Sequence, residues 1–426
     1  MKHSLVGVFI FVKRHKEVII KVPMKKHISL LTIVLLSSFL SLTSCGKSQP
    51  SEESKPVSSS TPHFSINDEY EDPALPSGTS VVVSESEVEL GDYNFHSATQ
   101  EAYLHSSYDK ISTFAKGNKG LDKPNPLSFK IPSGADTLTL YEGNVKAKVD
   151  ISIREETDGD YADIVNLKAD TSYTIEYNDS NKTKMEFKTD NCLPRNVDID
   201  GVKNVRDIGG YTSQLGGKIR QGLYYRGGRF NYTDEKTTID EPSYFQNELT
   251  DKGYNTAVNV LGLKSQIDLR MNESHYRTTY AHEYGMMDNS SYPDIEYVPY
   301  PLDWNNSNMM KDEKETIGNI FKFLSNKDNY PVYVHCNIGT DRTGMITYLL
   351  GTLLGINQLD LYYDYLFSNF ANIGGSRDLT KITNLYQKTL LAYKDINLYY
   401  DVRDYLNDCG VSDIELDKIL RIFIEM

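Results

Sequence analysis

The residues of this chain that are best suited to chemistry lie in one short stretch, which reads His-Cys-Asn-Ile-Gly-Thr-Asp-Arg-Thr-Gly over residues 335–344. Five residues separate Cys336 from Arg342. An apolar run at residues 332–334 precedes the stretch, and a helix-like apolar run at residues 345–350 follows it. The pattern predicts a strand, a tight loop and a helix, with the thiol at the end of the strand and the guanidinium in the first helical turn.

The loop between that strand and that helix has the groups needed to bind a phosphate. A thiolate is favoured at a helix N-terminus beside a cation, and Arg342 can hold two phosphate oxygens as a fork. Gly339 and Gly344 are expected to let the backbone turn its N–H groups inward. The predicted phosphate-binding loop consists of Asn337, Ile338, Gly339, Thr340, Asp341 and Arg342.

Two neighbours of the loop are expected to assist the thiolate. Thr343 can donate its hydroxyl to the sulfur of Cys336. For His335 two interpretations stay open: it hydrogen-bonds the backbone and tunes the thiolate, or it is a core histidine whose hydrogen bonds are satisfied. Neither interpretation changes the role of Cys336 as the predicted nucleophile.

The predicted reaction has two steps, because the thiolate takes the phosphoryl group and water then removes it from sulfur. A carboxylic acid must protonate the leaving oxygen and afterwards deprotonate the water. Asp303, in a loop after a predicted strand, is the first candidate, and its alternative is an ordinary turn aspartate. Asp341 is the second candidate, and its alternative is a structural carboxylate that holds the loop or Arg342.

The elements that would position these residues alternate between strand-like and helix-like runs over residues 191–426. This alternation predicts an α/β domain with a central mixed sheet and helices on both faces. A helical run with apolar residues at helical spacing covers residues 315–324. Strand-like runs lie near residues 223–228, 266–270 and 295–300.

Four ordered motifs carry a resemblance: Asn-Val-Arg-Asp-Ile-Gly-Gly-Tyr (204–211), Tyr-Arg-Gly-Gly (225–228), Ile-Asp-Leu-Arg (267–270) and Gly-Thr-Asp-Arg-Thr-Gly (339–344). His-Cys-x5-Arg-Thr-Gly resembles the signature of the cysteine-dependent protein tyrosine phosphatase superfamily, and the set resembles its bacterial tyrosine and dual-specificity members. The resemblance covers roughly residues 196–426. It implies that Asp303 lies on a mobile acid loop, with Asp341 as the alternative acid. It also implies a supporting group of His335, Gly344, Arg206, Asp207 and Arg226.

One position departs from the family pattern. The family usually has lysine where this chain has Thr340, and that lysine is associated with activity on phosphoinositides as well as phosphotyrosine. Its replacement weakens the expectation of a lipid phosphatase and removes a positive charge from the pocket. The nucleophile and the phosphate clamp are unaffected.

The N-terminal residues resemble an export signal. A basic start at residues 24–27 precedes an apolar run at residues 28–42, and small residues lead to Cys45. The ending resembles the bacterial lipobox, in which the cysteine is lipidated, and a lipidated Cys45 would anchor the protein on the extracytoplasmic face of the bacterial cell membrane. A spanning helix is disfavoured because the apolar run is short. The predicted divisions are an upstream extension and signal peptide at 1–45 and a flexible Ser/Glu/Pro-rich linker at 46–77.

Residues 78–190 are predicted to form a small all-β, sandwich-like domain. Period-two alternation separated by turn residues indicates antiparallel strands. The sequence from Leu167 to Tyr173 weakly resembles a fibronectin type III or immunoglobulin-like module. The domain is either a spacer or a module that binds a partner or positions the substrate. Strand-like runs lie at residues 127–131, 149–153, 173–177 and 185–188.

Composition narrows the class of protein further. The chain has 426 residues and a formal net charge of −14, which argues against nucleic-acid binding and means that an anionic substrate must be attracted by a local positive site. The four cysteines have no metal-ligand spacing, so we expect no metal, and no cofactor either. Cys192 and Cys409 are expected to be buried free thiols rather than a disulfide.

The sequence therefore predicts a protein tyrosine or dual-specificity phosphatase that acts on a phosphorylated protein or a small phosphate ester through a cysteinyl-phosphate intermediate. The first alternative is an inositol-phosphate or phosphoinositide phosphatase of the same fold. The second is a non-catalytic surface protein whose β-domain binds a ligand. A sulfur-transfer enzyme is more remote, because its loop normally lacks the Arg-Thr-Gly ending. The oligomeric state is not predicted.

Overall fold

The computed structural model describes residues 6–13, 16–23, 88–89, 93–135, 137–230, 249–271, 292–393 and 397–426. The chain divides into two compact units, residues 1–65 and 66–426. In the first unit, strands β1 (Val6–Lys13) and β2 (Lys16–Pro23) form an antiparallel hairpin. The predicted export signal at 24–45, with Cys45, and the linker at 46–77 lie outside the described residues. Among the described helices, none has the length and apolar character needed to cross a membrane.

The described part of the second unit includes two short helices before its main β-sheets, α1 (Ala98–Leu104) and α2 (Ile111–Ala115). The prediction that residues 78–190 contain only strands is therefore wrong for this segment. Ser97 and Gln100 form a capping box, in which each side chain satisfies a backbone N–H of the first turn of α1. Tyr103 of α1 is fully buried and contacts the ring of Phe370, so packing on distant aromatic residues stabilises the helix.

Two sheets share one hydrophobic core in the segment that follows. β4, β8 and β7 form an antiparallel three-stranded sheet, and the second sheet has the order β3-β10-β9-β5-β6. Side chains alternate between buried and exposed along β4 and β9, as the period-two pattern requires. All four predicted strands are confirmed, whereas the fibronectin or immunoglobulin resemblance stays a prediction. The strands are β3 (Val88–Glu89), β4 (Leu127–Lys130), β5 (Leu138–Glu142), β6 (Val145–Lys146), β7 (Asp150–Glu156), β8 (Gly159–Val165), β9 (Ser172–Tyr177) and β10 (Lys184–Lys188).

The rest of the chain is built on a six-stranded mixed sheet of order β11-β12-β14-β17-β15-β16. The first two pairings are antiparallel, and the last three are parallel. β17 is flanked by a parallel strand on each side and delivers the chain to Cys336. The strands are β11 (Arg195–Asn196), β12 (Arg206–Asp207), β14 (Tyr224–Gly227), β15 (Ser265–Asp268), β16 (Glu296–Pro299) and β17 (Val332–His335), and a separate pair is formed by β13 (Lys218–Ile219) and β18 (Ile424–Glu425).

Helices cover both faces of this sheet. On one face, the Tyr224 hydroxyl lies 3.2 Å from the hydroxyl of Thr347 in α6. On the other face, Tyr225 and Tyr333 pack against Ala257 of the π-helical segment Thr256–Val260. The prediction of a mixed sheet with helices on both faces is thus confirmed. The helices are α3 (Asp251–Asn255), α4 (Met309–Asp312), α5 (Lys314–Leu324), α6 (Asp341–Leu353), α7 (Gln358–Phe367), α8 (Lys388–Leu390), α9 (Leu398–Asp408) and α10 (Asp413–Phe423).

Buried polar contacts join the β-domain to the mixed sheet. The Arg195 guanidinium is 2% exposed and donates to the carbonyls of Leu167 and Asn166 at 3.0 and 2.9 Å. The same guanidinium forms an ion pair with Asp207. Because removing one partner of such a buried pair is costly, the two sheet systems are held together rather than loosely tethered. Cys192 and Cys409 are buried and free, as expected.

Candidate active site

The loop between β17 and α6 carries the candidate nucleophile. β17 ends at His335, Cys336 follows with 3% exposure, and α6 begins at Asp341 with Thr340 as its N-cap residue. The predicted strand, loop and helix are confirmed. Backbone N–H groups in the first turn of a helix have no carbonyl partner within that helix, so they are available to an anion.

The two loop glycines are required for different reasons. Gly339 has φ +71°, and a Cβ there would lie 2.2 Å from the carbonyl carbon of Gly227, so only glycine fits. Gly344 lies inside α6, where a Cβ would come within 2.9 Å of the Tyr365 ring. The prediction that Gly344 turns the loop backbone is wrong, because this glycine allows close packing of α6 against α7.

Arg342 lies at the start of α6 and is held in place by backbone carbonyls. Its Nη1 donates to the Leu269 carbonyl at 3.0 Å and to the Leu302 carbonyl at 3.2 Å. Leu302 directly precedes Asp303. The Arg342 guanidinium therefore fixes the position of the segment that contains Asp303 relative to the loop. Asp303 and Arg342 are distant in sequence.

Asp303 lies in a turn and is partly exposed. Its carboxylate accepts a hydrogen bond from the Asn305 N–H at 2.9 Å, and its carbonyl accepts one from the Asn306 N–H at 3.1 Å. The next residue, Trp304, is 54% exposed. The structure thus places Asp303 beside Arg342 through the Leu302 peptide and leaves its side chain accessible to solvent.

Asp341 has a different environment. Its carboxylate forms ion pairs with Arg377 and Lys381, each with a shortest N–O distance of 3.2 Å. The Tyr365 hydroxyl also donates to it at 3.2 Å. Burial would raise the pKa of Asp341, but Arg377 and Lys381 hold that pKa below its ordinary value. The carboxylate is therefore ionised at neutral pH and has no proton to donate.

His335 is fully buried, and burial lowers its pKa to about 4, so the imidazole is neutral at pH 7. Its Nδ1 lies 3.4 Å from the Cys336 carbonyl oxygen and 3.8 Å from the Asp268 carboxylate. Burial would raise the pKa of Asp268, but Arg270 holds it well below its ordinary range. Asp268 raises the pKa of His335, but burial lowers it by more.

Thr343 is fully buried in α6. Within the described residues, its hydroxyl has no hydrogen-bond partner, the Cys336 sulfur included. The predicted hydrogen bond from Thr343 to the thiolate is therefore wrong for this structure, because no acceptor satisfies the required geometry. The hydroxyl is a buried donor that remains unsatisfied.

A network of buried charges lies behind the loop. Arg206 and Arg226 both form ion pairs with Asp364 of α7. Arg226 also donates to the Gly339 carbonyl at 2.8 Å, and Asn204 donates to the Ile338 carbonyl at 2.9 Å. Of the three predicted supporting residues that lie far from the loop in sequence, Arg206 and Arg226 are thus brought to it.

Asp207, the third, is not brought to the loop. It pairs with Arg195 and accepts the Gly209 and Gly222 N–H groups at 2.9 and 2.6 Å. Sequence reasoning also missed Asp364, Arg377 and Lys381. For Asp364, the one available signal is a carboxylate within the aromatic run of α7. For the two cations, the sequence contains no signal.

Comparison with known proteins assigns the class. The sequence profile of the tyrosine phosphatase family matches residues 197–425, a little over half of the chain, and the chain therefore belongs to the tyrosine phosphatase family. Membership supports a phosphoric monoester hydrolase. No curated protein sequence matches the chain significantly.

Two solved structures are similar to part of the chain. One is the core catalytic domain of the PP-IP phosphatase SIW14 from S. cerevisiae in complex with citrate, with 16% identity, a TM-score of 0.24, and coverage of 39% of this chain and 86% of that chain. The other is a Siw14 catalytic core, with 17% identity, a TM-score of 0.23, and coverage of 33% and 82%.

The charge network makes a testable prediction about stability. Replacing Asp364 with asparagine leaves two buried guanidinium groups without their counter-ion, and we expect a loss of about 3 kcal/mol in the free energy of unfolding. Urea denaturation of the Asp364→Asn variant measures this loss. Asp360→Asn, one turn earlier on α7, is the matched control and should lose much less. Equal losses in the two variants would contradict the role given to Asp364.

Proposed function

We propose that this protein hydrolyses phosphate monoesters through a cysteinyl-phosphate intermediate, and that phosphotyrosine, or phosphoserine and phosphothreonine as well, is the group it acts on in proteins. The observation that carries the proposal is the placement of Cys336 and Arg342 at opposite ends of one tight loop at a helix start. Family membership supports the same chemistry.

In the first step, the Cys336 thiolate attacks phosphorus, a sulfur–phosphorus bond forms, and the bond from phosphorus to the leaving oxygen breaks. The negative charge of the transferring group is spread over its equatorial oxygens, where the Arg342 fork and the backbone N–H groups of the loop can bind it. Asp303 in its acid form gives its proton to the leaving oxygen.

In the second step, water attacks phosphorus while the Asp303 carboxylate takes one of its protons. The phosphorus–sulfur bond then breaks, and inorganic phosphate leaves together with a regenerated thiolate. The acid is again protonated, so the cycle closes without a metal or a further reactant. The helix start and Arg342 favour the thiolate as both nucleophile and leaving group.

The environments of the two candidate acids favour Asp303 for the proton transfer. Asp341 is bound by two cations and is ionised at neutral pH. Asp303 is partly exposed and directly follows Leu302, whose carbonyl accepts a hydrogen bond from Arg342. We therefore assign the acid and base role to Asp303 and a loop-holding role to Asp341.

The nucleophile is tested with Cys336→Ser. The hydroxyl of serine is not ionised at neutral pH, so we expect turnover to fall on the order of 10³-fold or more, measured as inorganic phosphate released from p-nitrophenyl phosphate, a phosphotyrosyl peptide and a phosphoseryl peptide. Cys409→Ser removes another buried thiol and should retain wild-type activity. Unchanged turnover in Cys336→Ser would refute the mechanism, and detectable wild-type turnover excludes a purely binding role.

The acid is tested with Asp303→Asn and Asp341→Asn. A missing acid matters most when the leaving group is poor, so Asp303→Asn should lower kcat on an alkyl phosphate about 10²-fold or more and much less on p-nitrophenyl phosphate. Asp341→Asn should show no such dependence on the leaving group. The reverse pattern would assign the acid role to Asp341.

A second substrate class is favoured by one observation. Arg377 and Lys381 bring positive charge to Asp341, the residue next to Arg342. This charge suits an inositol-phosphate-like ester with several phosphate groups. In the same assay, hydrolysis of such an ester with higher kcat/KM than both phosphopeptides would favour this class.

We also propose that Cys45 carries a lipid that anchors the protein to the outer face of the cell membrane, on the basis of the lipobox-like sequence alone. The full-length chain should partition into the detergent phase in a Triton X-114 extraction from bacterial cells. Cys45→Ser should move it to the aqueous phase, whereas Cys192→Ser should not. Aqueous partitioning of the wild-type chain would contradict the anchor.

A further inference from the structure

A cavity with a volume of about 210 Å³ lies where α1 meets α7 and plays no part in the mechanism above. It is lined by Leu104 of α1 and Tyr363 of α7, together with Pro194 from the segment before β11 and Tyr211 from the segment between β12 and β13. We call it the α1–α7 cavity. A cavity that holds one water needs only about 10–15 Å³, so this one has room for a small organic molecule.

The walls of the α1–α7 cavity are fixed by contacts with the rest of the fold. The Tyr363 hydroxyl donates to the Ser106 carbonyl at 2.7 Å, and its ring contacts the Tyr103 ring with a centroid distance of 5.2 Å. The Pro194 carbonyl oxygen lies 2.8 Å from Nε2 of the buried His96. The cavity is therefore preformed, and a ligand would not have to order its walls.

Asp360, in the first turn of α7, brings a carboxylate to the wall of the cavity. The residue is half-buried, and burial raises its pKa above the ordinary value. Within the described part of the chain, this carboxylate has neither a hydrogen bond nor an ion pair. A carboxylate that has lost part of its water and has no partner is stabilised by a cation that binds it.

Tyr211 supplies a second polar group without a partner. It is 5% exposed, and among the described residues its hydroxyl finds no hydrogen-bond partner. Burial raises the pKa of this hydroxyl well above its ordinary value, and the charges of Asp364 and Asp360 raise it further, so the hydroxyl lies near both carboxylates. A buried hydroxyl without a partner is costly, and a ligand that bonds to it removes that cost.

The residues around the cavity indicate the class of ligand. The eight residues that line it include no lysine, arginine or histidine, so an anion is disfavoured. At its surface, the exposed side chains of Asn191 and Thr212 can form hydrogen bonds with hydroxyl groups. Leu104 and Leu193 add a small apolar surface. The combination suits a compact cation that also carries hydroxyl groups.

We propose that the α1–α7 cavity is a binding site for a small organic ammonium with hydroxyl groups, of the amino-sugar type, with the ammonium on Asp360 and a hydroxyl group on Tyr211. None of the lining residues belongs to the loop that carries Cys336, and the inference does not depend on the proposed hydrolysis. An ammonium donates charge-assisted hydrogen bonds to a carboxylate, which a neutral molecule of the same shape does not.

The test compares glucosamine with glucose, which differ at one position, where an ammonium replaces a hydroxyl group. Ligand-detected NMR titration of the full-length chain at neutral pH measures both affinities. We expect glucosamine to bind on the order of tenfold more tightly than glucose, because its ammonium pairs with Asp360. Asp360→Asn should lower the affinity for glucosamine to that for glucose.

Three further variants serve as controls. Asp328→Asn removes an exposed carboxylate from the first turn of another helix and should leave the affinity unchanged. Asp303→Asn should also leave it unchanged, because Asp303 belongs to the candidate active site. Tyr211→Phe should lower the affinity about threefold, while the stability without ligand stays unchanged or rises, because the lost hydroxyl has no partner.

Equal affinities for glucosamine and glucose in the wild-type chain, or binding of neither, would overturn the inference. An equal loss in Asp360→Asn and Asp328→Asn would do the same. A loss in Asp303→Asn without one in Asp360→Asn would move the ammonium to the candidate active site and so contradict the cavity. Urea denaturation reports whether Asp360→Asn is folded; if it is not, retained affinity in Tyr211→Phe overturns the inference.

Discussion

The geometry of the loop depends on one buried carboxylate. Asp364 holds Arg206 and Arg226 behind the loop, and Arg226, together with Asn204, donates to the carbonyls of Gly339 and Ile338. Burial would raise the pKa of Asp364, but the two arginines hold that pKa below its ordinary value. Because these loop carbonyls accept hydrogen bonds from Asn204 and Arg226, the N–H groups of the loop remain available to bind an anion. Two buried cations without this carboxylate would each carry a large desolvation cost.

Charge is separated around the loop in a way that suits a two-step phosphoryl transfer. Asp341, the residue before Arg342, forms ion pairs with two cations and is ionised. Asp303, the residue after Leu302, is partly exposed, and its carboxylate accepts a hydrogen bond from a backbone N–H. These different environments are the basis of the different roles proposed for the two aspartates. The neutral imidazole of His335 adds no charge beside Cys336, since burial keeps it unprotonated at pH 7.

The N-terminal part of the second unit contacts a residue that supports the loop. Asp122 accepts the Asn204 N–H at 2.6 Å, and Asn204 has φ +61° and reaches the loop carbonyl of Ile338. Lys119, three residues earlier, donates to the carbonyls of Asn369 and Gly375 at 2.7 and 3.1 Å. The segment that joins the short helices to the β-domain thus helps to support the loop through Asn204.

Much of the fold and part of the site could be predicted from the sequence, because those features depend on local spacing. A window of about ten residues is enough to recognise each of these features: the alternation in β4 and β9, the strand before Cys336, the helix after it and the Cys-x5-Arg spacing. Asp364, Arg377 and the partners of Asp341 could not be predicted, because their contacts span 24 to 158 residues of sequence and depend on the packing of α7 and the segment after it. The short helices before the β-domain were missed for the same reason, since Tyr103 is stabilised by aromatic residues of α7 and beyond. The sequence alone determined the sheet and which residues are the candidate nucleophile and clamp; only the tertiary structure decided which charges surround them, because charge pairing depends on distance in space rather than along the chain.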